Sequence, residues 1–173
     1  LNTMPKFLFF VLLIGSLLSI LFMAGVFSER PAEPEKVSYS PYEIERLVNI
    51  ERKNHGLTSL AWNNDLREVA HNHSLDMARN DFFAHVNLKG QNMTDRGIAM
   101  GYNCRPGGVS GENLFMVEGY DKSEIPSIVV EAWMDSPEHK EVILTEWFRY
   151  GAVGIVEKSG VFYITHNFAA CIP

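Results

Sequence analysis

The sequence predicts an α+β fold in which helices pack on a small, mainly antiparallel sheet. Helical spacing of apolar residues fills the first half of the chain after residue 40, and strand-like alternation appears in the second half. The chain ends on two alternating runs, 152–156 and 161–169, joined by the turn Glu157-Lys158-Ser159-Gly160. Helices first and a terminal hairpin last indicate helices packed on an antiparallel sheet.

Capping residues and helix breakers set the bounds of the predicted helices. Ser40 before Pro41 and Asn92 before Met93 are typical of helix starts, and Ser123 is the expected cap of the fourth helix. The apolar run 112–117 is predicted to be a strand. The predicted helices cover, in order, about 41–54, 64–80, 92–100, 124–135 and 137–144.

The N-terminus is predicted to be a membrane or export segment. Residues 7–27 carry no charge, and a spanning helix needs about 20 such residues. Lys6 precedes the run, which places the short N-terminus in the cytoplasm and the rest of the chain outside. We expect an anchor over 1–28, a proline-containing linker over 29–40 and one folded domain over 41–173. The alternative is a signal segment cleaved after Ser28.

Composition excludes several classes of protein. The 173 residues suit a single domain beside the N-terminal segment. The net charge of −6, from 15 basic and 21 acidic residues, argues against a nucleic-acid partner. Two cysteines are too few for a disulfide-dense mini-protein. Because export is expected, Cys104 and Cys171 are predicted to form a disulfide.

Four ionisable side chains stand out because each lies in an apolar setting. His85 follows Phe82-Phe83-Ala84, and Glu112 precedes an apolar run. His139 shares a helical face with apolar residues, and His166 shares a strand face with Phe162, Ile164 and Phe168. Buried ionisable groups need partners, and imidazole and carboxylate groups pair with each other or with a divalent metal.

These segments carry a resemblance to a known family. The order of FFAHVN, TDRGIAMGYN, GEN, W-x-x-S-P-x-H and the strand with F-A resembles the CAP superfamily. Its members include cysteine-rich secretory proteins, antigen 5 and plant pathogenesis-related proteins, and its domain is also called SCP. The similarity covers about residues 41–170 and is greatest to short bacterial and archaeal members. It implies an α-β-α sandwich, with helices on both sides of the sheet.

The resemblance also implies a shallow cleft in which two histidines and two acids bind a divalent metal. His85, Glu112 and His139 match three of these positions, whereas Ser136 occupies the position of the second glutamate. Glu131 is a nearby substitute, with Asp135 as another, and His166 is a further candidate where the family often has glutamine. We therefore expect a weakly held zinc ion with ligands among His85, Glu112, His139, Glu131 and His166. The alternative is that the two cleft histidines are structural and bond to carboxylates.

Three functions from different classes are possible. The first is an exported, membrane-anchored module that acts by binding a lipid, sterol, glycan, protein or metal. The second is a zinc-dependent extracellular hydrolase or peptidase, in which a glutamate activates metal-bound water. HExxH and Gly-x-Ser-x-Gly motifs are absent from the sequence, so it does not decide that the chain is an enzyme. An envelope protein with a vestigial cleft is the third possibility.

Overall fold

The predicted helices form, and most begin at the expected caps. The structure is a computed structural model that describes residues 40–102 and 110–170. Ser40 Oγ accepts a hydrogen bond from Glu43 N, and Asn92 and Asp95 form a reciprocal capping box. The helices in these ranges are α1 (Pro41–Asn54), α2 (Asn64–Asn80), α3 (Met93–Ala99), α4 (Ile125–Asp135) and α5 (Pro137–Ile143).

Four strands form one mixed sheet in the order β1-β3-β4-β2. Strand β2 is antiparallel to β4, and β4 is antiparallel to β3. The short β1 is parallel to β3, so the sheet is not wholly antiparallel. The strands are β1 (Ala61–Trp62), β2 (Ser110–Glu118), β3 (Tyr150–Lys158) and β4 (Val161–Ala169).

The sheet separates two helical layers. Helices α2 and α3 lie on one side, and α1, α4 and α5 lie on the other, which gives the α+β sandwich that was predicted. Gly154 allows α2 to lie directly on β3, because an added Cβ would stand 2.2 Å from the backbone nitrogen of His71. The main core fills the side of α1 and α4 around the fully buried Trp133.

Arg52 joins the end of α1 to the segment that follows α5. Its guanidinium is fully buried and donates to the carbonyl oxygens of Thr58, Ile143 and Thr145 at 3.0, 2.6 and 3.0 Å. Burial lowers the pKa of Arg52 from its usual value, and the charge of Glu45 opposes that change. This contact holds the helix that carries His139 against the main core.

Three sequence-based expectations differ from the structure. Ser123 does not cap α4, because Glu124 holds the cap position and Ser123 Oγ donates to Asp121 instead. Strands β2 and β3 extend beyond the predicted 112–117 and 152–156, because cross-strand pairing continues past the alternating core. The two residues of β1 were not predicted to be a strand, since so short a run has no periodicity.

The N-terminal anchor and the disulfide lie outside the described residues. Residues 1–39 and both cysteines fall there, so the anchor, the linker and the Cys104–Cys171 bond stay predictions. Within 40–102 and 110–170, none of the helices combines the length and apolar character required to span a membrane.

Replacement of Arg52 by methionine should destabilise the domain strongly. Methionine fills part of the volume but leaves buried carbonyl oxygens without donors, at a cost of about 3 kcal/mol. The matched control is Arg46→Met on the same helix, because the side chain of Arg46 is 57% exposed and its pair with Glu43 contributes ~0.5 kcal/mol. Urea unfolding of both variants measures the difference, and equal losses would contradict this role for Arg52.

Candidate functional site

The candidate site is a cleft at the outer edge of β2, where the two helical layers meet. His85 reaches it from the segment after α2, and His139 reaches it from α5 on the other side of the sheet. The cavity has a volume of about 360 Å³. Its lining residues are mostly apolar: Phe83, Ala84, His85, Leu114, Phe115, Met116 and His139.

The segment that carries His85 is held by α2. The helix ends at Asp81, which adopts a left-handed conformation with φ 53° and turns the chain toward the sheet. His73, buried in α2, contacts the carbonyl oxygen of Ala84 through Nε2 at 2.9 Å. Because Ala84 O is an acceptor, Nε2 carries the proton. Burial lowers the pKa of His73, so its ring stays neutral near pH 7.

Glu112 fixes the ring of His85. Its oxygen Oε1 accepts a hydrogen bond from His85 Nδ1 at 2.9 Å, and Oε2 accepts from Arg96 Nη2. The side chains of Glu112 and Arg96 are 5% and 6% exposed, whereas that of His85 is 57% exposed. Since the carboxylate accepts at Nδ1, the neutral imidazole presents an unprotonated Nε2 to the cleft.

Arg96 connects this carboxylate to the backbone of the His85 segment. Its Nη1 donates to the carbonyl oxygens of His85 and Gln91 at 2.7 and 3.1 Å. Asn167, opposite Glu112 in the sheet, completes the set. With the amide oriented to satisfy its neighbours, Asn167 Nδ2 donates to Glu112 Oε2 at 3.0 Å and its oxygen accepts from Ala70 N. Both oxygens of Glu112 are therefore engaged within the protein.

His139 is held from the opposite layer. Its Nδ1 lies 2.9 Å from Ser136 Oγ, and its carbonyl oxygen accepts from Asn113 Nδ2 at 3.0 Å. Helix α5 approaches β2 closely because residue 111 is glycine: an added Cβ would meet Val142 and Phe148 at 2.9 Å. Burial lowers the pKa of His139, and the charge of nearby His85 lowers it further. The half-buried ring therefore stays neutral below the usual histidine range.

His166 and Glu131 lie away from this cleft. His166 pairs with Asn113 in the sheet and points to the opposite face from Glu112. It is fully buried, and its ring centroid lies 3.8 Å from that of Phe168. Its Nε2 stands 2.8 Å from Glu45 Oε2, without the geometry of a hydrogen bond. Glu131 is exposed on α4.

Comparison with known proteins identifies the family. The profile of the cysteine-rich secretory protein family, CAP, matches residues 45–172. The chain belongs to the CAP family.

The relatives of this CAP domain include bacterial membrane and extracellular proteins. The membrane protein YlbC of Bacillus subtilis strain 168 is 33% identical over 133 residues, which are 75% of this chain and 34% of YlbC. The structure of an extracellular SCP-domain protein from Bacillus anthracis strain Ames is 28% identical, with a TM-score of 0.59, over 73% of this chain and 39% of that one. The chain thus spans little more than a third of the length of either protein.

A more distant structure shares only the fold. NaASP2, determined with Zn²⁺, is 13% identical with a TM-score of 0.56, over 79% of this chain and 82% of that one. The similarity shows that the sandwich is preserved when most residues differ.

The arrangement of ligands differs from the one expected. Among the residues that the structure describes, no group of three or more His, Cys, Asp or Glu side chains is placed to hold a metal ion. Glu112 contacts Arg96 and His85. His166 contacts Glu45 on the face of the sheet that α1 and α4 cover, and Glu131 is exposed on α4. Of the five candidate metal ligands, His85 and His139 are the two that line the cleft.

Sequence reasoning missed two residues that organise the cleft. Arg96 lies in the segment TDRGIAMGYN. A single arginine on a short helix is usually exposed to solvent, so its sequence context did not indicate a buried role. Ser136 occupies the position where a glutamate was expected, and a serine before proline is typical of a helix cap. In the structure the hydroxyl of Ser136 bonds to His139 instead of to a backbone N–H of the helix.

Replacement of Arg96 by methionine should destabilise the domain, and this loss should be coupled to the presence of Glu112. Arg96→Met leaves the carboxylate of Glu112 buried without its counter-charge, a loss of about 3–5 kcal/mol. The double variant Arg96→Met/Glu112→Leu removes both charges, so its loss should be smaller than the sum of the single losses. Urea unfolding of the wild type, both single variants and the double variant tests this coupling. Additive losses would show that the two side chains act independently.

Proposed function

We propose that this CAP domain is an exported, membrane-anchored binding module whose cleft holds a divalent cation between His85 and His139. The observation that carries the proposal is that both rings are fixed at Nδ1, by Glu112 and by Ser136. Each ring can then direct Nε2 to the shared cleft, if His139 Nδ1 donates to Ser136 Oγ. Ligating histidines usually donate their second nitrogen to such a carboxylate or oxygen partner.

The donor set suits zinc held weakly. Imidazole nitrogen is a good ligand for Zn²⁺, and a structural zinc site has four protein ligands. Two histidines leave the remaining positions to water or to a bound ligand, so the cation is expected to exchange readily. When bound, zinc would supply a Lewis acid that polarises an oxygen atom of a ligand. The Zn²⁺ in the structure of NaASP2, which shares this fold, is consistent with the choice of metal.

The same contacts favour binding over hydrolysis. In the hydrolase considered above, a glutamate takes a proton from metal-bound water, but both oxygens of Glu112 are already engaged by His85 and Arg96. Glu131 is exposed on α4, outside the set of residues that line the cleft. Export and anchoring rest on the uncharged run 7–27 and agree with the extracellular and membrane character of the two Bacillus relatives.

Zinc binding to the full chain tests the proposal. Equilibrium dialysis with Zn²⁺ should show one bound ion, and His85→Ala/His139→Ala should weaken binding more than about tenfold because both protein ligands are lost. The matched control is His55→Ala/His71→Ala, two histidines that do not line the cleft. Equal loss in both double variants, or no binding by the wild type, would overturn the proposal.

Zinc affinity should also depend on pH in a predictable direction. Only neutral imidazole binds metal, so affinity falls as pH drops below about 6.5. Because burial lowers the pKa of His139, that ring stays available to a lower pH than an exposed histidine. Competition titrations between pH ~5 and ~8 should show affinity constant at the upper end and declining below the histidine range. Affinity that rises on acidification would contradict imidazole ligation.

A further inference from the structure

The outer edge of β2 borders the candidate cleft. Strand β2 is the last strand in the sheet order, so its outer side has no strand neighbour among the described residues. A second cavity of about 300 Å³ adjoins the first and shares His85 with it. The first cavity is lined by residues 114–116 of β2, and the second by residues 110–112.

The two adjoining cavities form one groove, and their lining residues show its direction. Successive side chains of a strand point to opposite faces of the sheet, so Leu114 and Met116 face one layer and Phe115 faces the other. A cavity that contacts all three therefore lies along the edge of the strand, which has no further strand beside it among the described residues. At ~3.3 Å per residue, the stretch 110–116 extends for about 20 Å.

We propose that this edge binds an extended peptide segment as an added strand, with apolar side chains at alternate positions. The proposal rests on the proposed function, because it names the ligand class of the same cleft. A strand edge presents alternating donors and acceptors, and a polypeptide backbone carries the matching alternation. Alternate side chains of such a segment would meet the apolar surfaces of Phe83, Phe115 and Met116.

The charge of the groove favours an uncharged, apolar segment. The ionisable side chains among its lining residues are His85, His139 and Glu112. Arg96 neutralises Glu112. Apart from a cation bound by the two histidines, the side chains of the groove offer no counter-ion for a phosphate or a sulfated glycan. Trp133 Nε1 already donates to Leu114 O at 3.0 Å, so pairing is expected through the other main-chain groups of the edge.

Two exposed apolar residues provide a matched test. Met116 lines the groove and is 46% exposed, whereas Ile98 on α3 is 64% exposed and does not line it. A charged side chain at a strand edge blocks pairing with a further strand, so Met116→Arg should prevent peptide binding while Ile98→Arg leaves it unchanged. Phe83→Arg, at a second exposed lining residue, provides an independent variant if Met116→Arg does not fold.

The experiment selects peptides against the full chain in nanodiscs of zwitterionic lipid, with a phage-displayed library of random linear octapeptides. Selected sequences should carry apolar residues at alternate positions, and a synthetic peptide of that pattern should bind about tenfold more weakly to Met116→Arg than to the wild type or Ile98→Arg. Peptide binding should slow amide hydrogen exchange within residues 110–118.

Several outcomes would overturn the proposal. They are the absence of enriched peptides, equal peptide binding by Met116→Arg and the wild type, and peptide binding that leaves exchange in 110–118 unchanged. Binding of cis-parinaric acid that is lost in Met116→Arg, with no peptide selected, would assign the groove to a lipid chain. Zinc dialysis of Met116→Arg separates the two proposals, because the histidine pair remains in that variant. In the wild type, zinc binding without peptide binding refutes only the peptide, and peptide binding without zinc binding refutes only the metal. In Met116→Arg, retained zinc binding with lost peptide binding is the expected result.

Discussion

The cleft depends on the buried ion pair between Arg96 and Glu112. Glu112 lies on the strand and Arg96 on a short helix, so their contact joins the sheet to the layer of α2 and α3. The same guanidinium binds the carbonyl oxygen of His85, and the same carboxylate binds its ring. Burial of such a pair has a desolvation cost, and removal of one partner strongly destabilises the folded protein because the other charge stays buried. The position of His85 is therefore coupled to the stability of the domain.

The sheet separates two polar networks that the sequence places next to each other. Glu112 and Asn167 face α2, whereas their chain neighbours Asn113 and His166 face α1 and α4. His166 pairs with Glu45 across that second face, and an added Cβ at Gly151 would stand 2.6 Å from the carboxylate of Glu45. One network holds the ring of a cleft histidine, and the other holds α1 on the sheet. A one-residue shift in the register of β2 would move Glu112 and Asn113 to the opposite faces of the sheet, away from their partners.

Local signals predicted the elements well, and long-range pairing was harder to predict. Ser40 and Asn92 predict the starts of their helices, because a capping side chain accepts a hydrogen bond from a backbone N–H three residues away. The partnership of Glu45 with His166 joins residues 121 positions apart, and no local pattern encodes it. Arg96 was missed for the same reason, since its partner lies on another element. The resemblance to the CAP family pointed to His85, Glu112 and His139 as metal ligands. The contact between Glu112 and His85 corresponds to the alternative expectation, in which the cleft histidines bond to carboxylates.

The contact with Glu112 should hold His85 in the tautomer that leaves Nε2 without a proton. The direct measurement is ¹⁵N NMR of the imidazole of His85 in the metal-free full chain at pH about 7.5, where an ordinary histidine is neutral. We expect a protonated Nδ1 and an unprotonated Nε2, and an altered pattern in Glu112→Gln. A wild-type spectrum with the proton on Nε2 would contradict it, because Glu112 would then not accept from the ring.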